Sequence, residues 1–85
     1  MPPAVPPVVE VRLPQWGMGM DEGTVQEWAC RPGDVVGAGD VLGVIDAAKV
    51  ATDLESPVAG TVVEIRVPEG DTVPVGTTLL LIDPA

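Results

Sequence analysis

Hydrophobic residues in this chain come singly or in short runs, spaced for strands rather than helices. Val9, Val11 and Leu13 alternate with Glu10 and Arg12 until Pro14 interrupts, which is the period-two pattern of a half-buried strand. Gln15 to Asp21 is a glycine-bearing loop carrying Trp16, Met18 and Met20, all expected to be exposed. A second strand is expected over 24–30, a turn at Arg31-Pro32-Gly33-Asp34, and short strands over 35–36 and 41–46 around a further turn at 37–40. Residues 44–56 contain neither Gly nor Pro and fit two patterns. Val44, Ala47, Ala48, Ala51 and Leu54 would line one face of a helix, whereas Val50, Thr52, Leu54 and Ser56 alternate as a strand.

The second half repeats the first. Residues 22–46 align without gaps on 59–83 at an offset of 37, with identity at 11 of 25 positions, among them Gly23/Gly60, Gly33/Gly70, Asp34/Asp71, Gly39/Gly76, Ile45/Ile82 and Asp46/Asp83. The chain is an internal duplication. Two copies are too few for a solenoid; they predict an all-β sandwich or flattened barrel with pseudo-twofold symmetry, each half burying its valine face against the other. The Gly-Asp pairs at 33–34 and 70–71 supply the sharp reversals. A hairpin at 44–56 suits that symmetry better than a helix, and makes Ala47-Ala48-Lys49-Val50 a β-turn at its tip.

Composition narrows the function. The core must be built from 16 Val, 6 Leu, 3 Ile and two Trp, with no Phe or Tyr, and ten Gly and ten Pro argue against a helical bundle. Thirteen acids against four bases give a net charge of −9, a surface that repels nucleic acid and anionic lipid. No apolar run approaches the roughly 18 residues that cross a bilayer, and MPPAVPPVVEV lacks signal-peptide character. With no His and one Cys, no zinc site can be assembled, and a reducing, cytoplasmic setting is expected. Residues 1–7, with four prolines, read as a tail or linker before a domain at 8–83. Lys49 is the sole lysine.

LPQWGMGMDEGTVQEW (13–28), PGDVVGAGDVLGVID (32–46), LESPVAGTVVEI (54–65) and EGDTVPVGTTLLLI (69–82) resemble the lipoyl domain of 2-oxo acid dehydrogenase acyltransferases, within the biotinyl/lipoyl carrier superfamily. The resemblance implies a flattened barrel of two four-stranded antiparallel sheets, monomeric when isolated. It implies that Lys49 bears lipoate as an amide at the hairpin tip, flanked by Asp46, Ala48 and Val50, with Gly33 and Gly60 as structural turn glycines. It further implies a swinging arm that carries an acyl group from a thiamine-dependent 2-oxo acid decarboxylase-type enzyme to an acyltransferase acceptor, after loading by a lipoate-attaching enzyme. Trp16, Met18, Met20 and Glu22 are then partner-recognition residues beside the tip. The tip itself departs from the family: lipoyl domains usually carry Asp directly before the lysine, biotin carriers carry Ala-Met-Lys-Met, and here the run is Asp46-Ala47-Ala48-Lys49-Val50.

Other readings stay open at this point. A biotin carrier of a carboxylase shares the superfamily, and an unmodified barrel could serve as an interaction module in a multienzyme. Asp21, Glu22, Glu27, Asp46, Asp53 and Glu55 are either a solvated surface or a docking face for a basic partner. Trp28 and Cys30 are expected to pack, since only Arg31 stands near Cys30 to activate it.

Overall fold

A computed structural model describes residues 8–47 and 50–84, and all the regular structure among them is β. Eight strands follow in order: β1 (Val9–Arg12), β2 (Glu22–Trp28), β3 (Val35–Val36), β4 (Val41–Ala47), β5 (Val50–Glu55), β6 (Gly60–Ile65), β7 (Thr72–Pro74) and β8 (Thr78–Pro84). They form two antiparallel four-stranded sheets, one ordered β1-β8-β6-β3 and the other β5-β4-β2-β7. The hairpin reading of residues 44–56 holds, because β4 and β5 pair from Val41↔Glu55 to Ala47↔Val50. The proline-rich tail at 1–7 lies outside the described residues.

The duplication is visible bond by bond. Val25↔Ile45 and Glu27↔Val44 in one sheet recur as Val62↔Ile82 and Glu64↔Leu81 in the other, with the same bulge between the paired residues. Turn glycines Gly33 and Gly70 both have positive φ, at 97° and 92°. Each donates its N–H at 2.7 Å to a valine carbonyl of the opposite repeat, Val62 and Val25 respectively. The edge strands follow a different offset. Val9↔Ile82 matches Thr52↔Ile45, so β1 and β5 are related by 43 residues rather than 37. The six extra residues sit in the 14–21 connection, to which only Pro57-Val58 corresponds in the second half.

One core lies between the sheets. Val11, Val36, Val62, Leu79, Leu80 and Ile82 from the first sheet meet Val25, Leu42, Ile45, Ala47 and Leu54 from the second. Bulges at Leu42 and Leu79, which the pairing skips, turn consecutive residues inward, so Leu79 and Leu80 are both fully buried. Trp28 is half-buried and donates its indole N–H to Val67 O at 2.8 Å, the expected compromise for a Trp at a barrel rim.

Gly60 is not a turn glycine. It lies within β6, paired with Val36 and Pro84, and a Cβ there would overlap the carbonyl oxygen of Asp83 and crowd Ile82 Cγ2 at 2.8 Å. Its small size, not its backbone freedom, is what the fold uses. At Gly33, by contrast, a Cβ would meet open space and only the positive φ is unfavourable. Gly33→Ala should therefore cost about 1–2 kcal/mol, and Gly60→Ala about 3 kcal/mol or more, since a backbone carbonyl cannot move aside. Urea unfolding midpoints would show this order; equal costs would refute the close approach at Gly60.

Candidate functional site

The β4–β5 hairpin brings together the residues singled out around the sole lysine. Asp46 is exposed on β4, paired with Ala51 on one side and Thr24 on the other. Ala47 is buried, and its partner Val50 is 61% exposed. The strands thus close to a single pair, with two residues between them. These two, Ala48 and Lys49, lie outside the described residues. Ile45, Ala47 and Leu54 belong to the core cluster, so the hairpin is anchored to within one pair of its end.

Glu22 belongs to the same end of the molecule. Thr24 pairs with Asp46, so the start of β2 lies level with the close of the hairpin. The connection from Leu13 to Glu22 crosses from one sheet to the other and passes alongside β5. Trp16, 40% exposed, and Pro14 face Thr52, Asp53, Leu54 and Glu55 across a groove of about 440 Å³. Met18 is fully exposed.

Met20 departs from expectation. It is 6% exposed and part of the core. A tight turn with Gly19 at φ 81° folds the loop back, Met20 N–H donates to Gly17 O at 3.3 Å, and Gln15 Nε2 donates to Met20 O at 3.3 Å. The side chain is thereby directed inward. Trp16, Met18 and Glu22 remain available as surface groups, whereas Met20 belongs to the core.

Charge is divided unevenly between the two outer faces. The second sheet carries Glu22, Glu27, Asp46, Asp53 and Glu55, all exposed, and no Lys or Arg among its strand residues. Asp53, Val44 and Glu27 form one row across three strands. On the first sheet two acids have basic partners: Arg12 pairs with Glu10 at 3.3 Å, and Arg66, just past β6, with Glu64 at 3.7 Å. Glu10 also accepts a 2.7 Å hydrogen bond from Thr78 Oγ1, and this bond, then Arg12, holds its carboxyl below the usual carboxylate range. The sequence pattern marks Pro14 only as a strand stop and Thr52 and Leu54 only as strand positions, not as groove residues. The length difference between the two connections was the signal that could have found them.

A family profile described as "Biotin-requiring enzyme" matches residues 9–82. The chain belongs to the biotinyl/lipoyl family. The resemblance read from its motifs is borne out, and the barrel of two four-stranded sheets agrees with it. It is 39% identical over 84 residues to the dihydrolipoyllysine-residue acetyltransferase component of the pyruvate dehydrogenase complex of Corynebacterium glutamicum, covering 99% of this chain and 12% of that protein. Two Bacillus subtilis proteins are each 38% identical. One is the dihydrolipoyllysine-residue acetyltransferase component of an acetoin cleaving system, aligned over 91% of this chain and 19% of its own length. The other is that of the pyruvate dehydrogenase complex, aligned over 87% and 17%. The chain thus spans less than a fifth of the length of these relatives.

Cys30 is not part of the site. It is 6% exposed, its thiol donates to Leu42 O at 3.5 Å, and burial, aided by the Asp34 charge, pushes its pKa up. Iodoacetamide at pH 8 should alkylate the folded chain at least about tenfold more slowly than the urea-unfolded chain. Equal rates would contradict the packing at Cys30.

Proposed function

We propose that this chain is a swinging-arm carrier domain whose Lys49 bears lipoate through an amide. In this reading it moves an acyl group from a thiamine-dependent 2-oxo acid decarboxylase-type enzyme to an acyltransferase acceptor. The observation that carries the reading is the place of the sole lysine, in the two-residue interval closed by the Ala47–Val50 pair at the midpoint of the duplication. The family includes biotin in its description, while the relatives are dihydrolipoyllysine proteins. The GMGMDEGTVQEW segment (17–28) and those relatives favour lipoate.

When bound, lipoate supplies a disulfide-containing ring on which an acyl group can be taken up and released. What the chain supplies is position. The hairpin is held by core residues Ile45, Ala47 and Leu54, so the attachment point rides on a rigid support. Exposed Asp46, Val50 and Ala51 leave its surroundings open to an attaching enzyme. A lysine stem on such a support, tethered within a multienzyme, raises the effective concentration of the carried group at successive active sites. A carrier rather than a catalyst is supported by the chain's lack of His and by the exposure of its carboxylates. Net charge −9 favours a monomer, and the single buried thiol suits a reducing compartment such as the cytoplasm.

Co-expression with a lipoate ligase and lipoate, and separately with a biotin ligase and biotin, tests this by intact mass. The expected result is a lipoyl increment that Lys49→Arg abolishes while the fold is retained. A biotinyl increment alone would transfer the domain to the carboxylases. No increment with either ligase would leave the Ala48-Lys49 tip unmodified and favour an interaction module.

A further inference from the structure

The groove beside Trp16 adjoins an open sheet edge. β5 is the outer strand of its sheet and pairs only with β4. Ser56 N–H donates to Asp40 O, and Ser56 O accepts from Gly39 N–H. The backbone of Ser56 therefore faces β4, and by strand alternation that of Ala51, Asp53 and Glu55 faces away. Among the described residues nothing bonds to these outward N–H and C=O groups. Such a row is the template on which a further strand adds.

The surroundings say what kind of strand. Ala51 to Glu55 spans about 13 Å, enough for about four extended residues, and the groove provides about 440 Å³ between this edge and the Pro14–Trp16 wall. Five carboxylates occupy the outer face of the sheet, and no Lys or Arg lies among its strand residues or anywhere from Leu13 to Cys30. Two copies placed edge to edge would set these carboxylates against one another. A basic strand would meet Asp53 and Glu55 directly and Asp46 and Glu27 behind them. The exposed Trp16 ring offers a face for the aliphatic stem of Arg or Lys and for the guanidinium itself.

We propose that the groove between Trp16 and β5 docks an extended basic segment of a partner protein, which joins the second sheet as a fifth strand. This surface starts at Ala51, two residues beyond Lys49, and its docking does not depend on modification of that lysine.

The test uses the unmodified ¹⁵N-labelled chain and a blocked six-residue peptide of alternating arginine and valine. The expected result is a set of amide shifts confined to residues 14–18 and 50–55. Exchange of the Ala51, Asp53 and Glu55 amides should slow by at least about tenfold, and affinity should fall about tenfold or more between low and high salt. Ala51→Pro removes an outward N–H while keeping every charge, and the double change Asp53→Lys with Glu55→Lys reverses charge while keeping the backbone. Each should weaken binding about tenfold or more. Shifts elsewhere on the barrel, wild-type affinity in the Ala51→Pro chain, or a dimer of the free chain sealed through β5 would overturn the proposal. Should Ala51→Pro lose its dispersed spectrum, slowed exchange in the unaltered chain decides alone, its absence being fatal.

Discussion

Everything in this barrel rests on an exchange of short strands between its two repeats. β2 and β4 of the first repeat lie in one sheet and β6 and β8 of the second in the other, but β3 pairs with β6 and β7 with β2. The Gly33 and Gly70 turns fasten the exchange, each with its N–H on a carbonyl of the other repeat, and Val62 and Val25 return the bond to Asp34 and Asp71 at 2.8 and 3.0 Å. Neither repeat can complete its sheet alone. The branched aliphatic core follows from this, because valine, leucine and isoleucine can fill a thin space between two closely tied sheets that rings would force apart.

Against this frame, the duplication was legible at 37-residue spacing because turns and core positions had to match in both copies. The correspondence of the edge strands was not, because β1 and β5 share a register but almost no sequence: Val9, Glu10, Val11 and Arg12 stand where Thr52, Asp53, Leu54 and Glu55 do. Only burial links them, Val11 and Leu54 both being in the core. Alternation also failed where bulges intervene, as in Leu79-Leu80, since a bulge directs consecutive side chains the same way. The hairpin at 44–56 was ambiguous by pattern and was decided by symmetry.

The site was legible as chemistry and less so as shape. A sole lysine at the centre of a duplication was plain. Whether Met20 pointed in or out was not, because the turn at Gly17–Met20 reverses the sense that spacing suggests. Gly60 aligned with Gly23 as a repeated glycine, yet repetition does not distinguish a glycine needed for φ from one needed for size. The acidic residues were visible one by one, but that five of them share one sheet, with Arg12 and its partner Glu10 on the other, emerges only from strand order.

The direction of β8 has a mechanical consequence. β7 ends at Pro74 beside Glu22, level with the hairpin close, and β8 starts at Thr78 and runs away from it. Its last residues, near Ile82, lie against Val9 at the start of β1. The start of β1 and the end of β8 therefore lie at one pole, with the close of the β4–β5 hairpin at the other. Tension between the two ends falls on the β1–β8 pair as a peeling force, opening its hydrogen bonds one after another rather than shearing them together. The hairpin, in the other sheet, lies outside that pair, so a pull on Val9 and Ile82 is taken up by the β1–β8 hydrogen bonds before it reaches the hairpin.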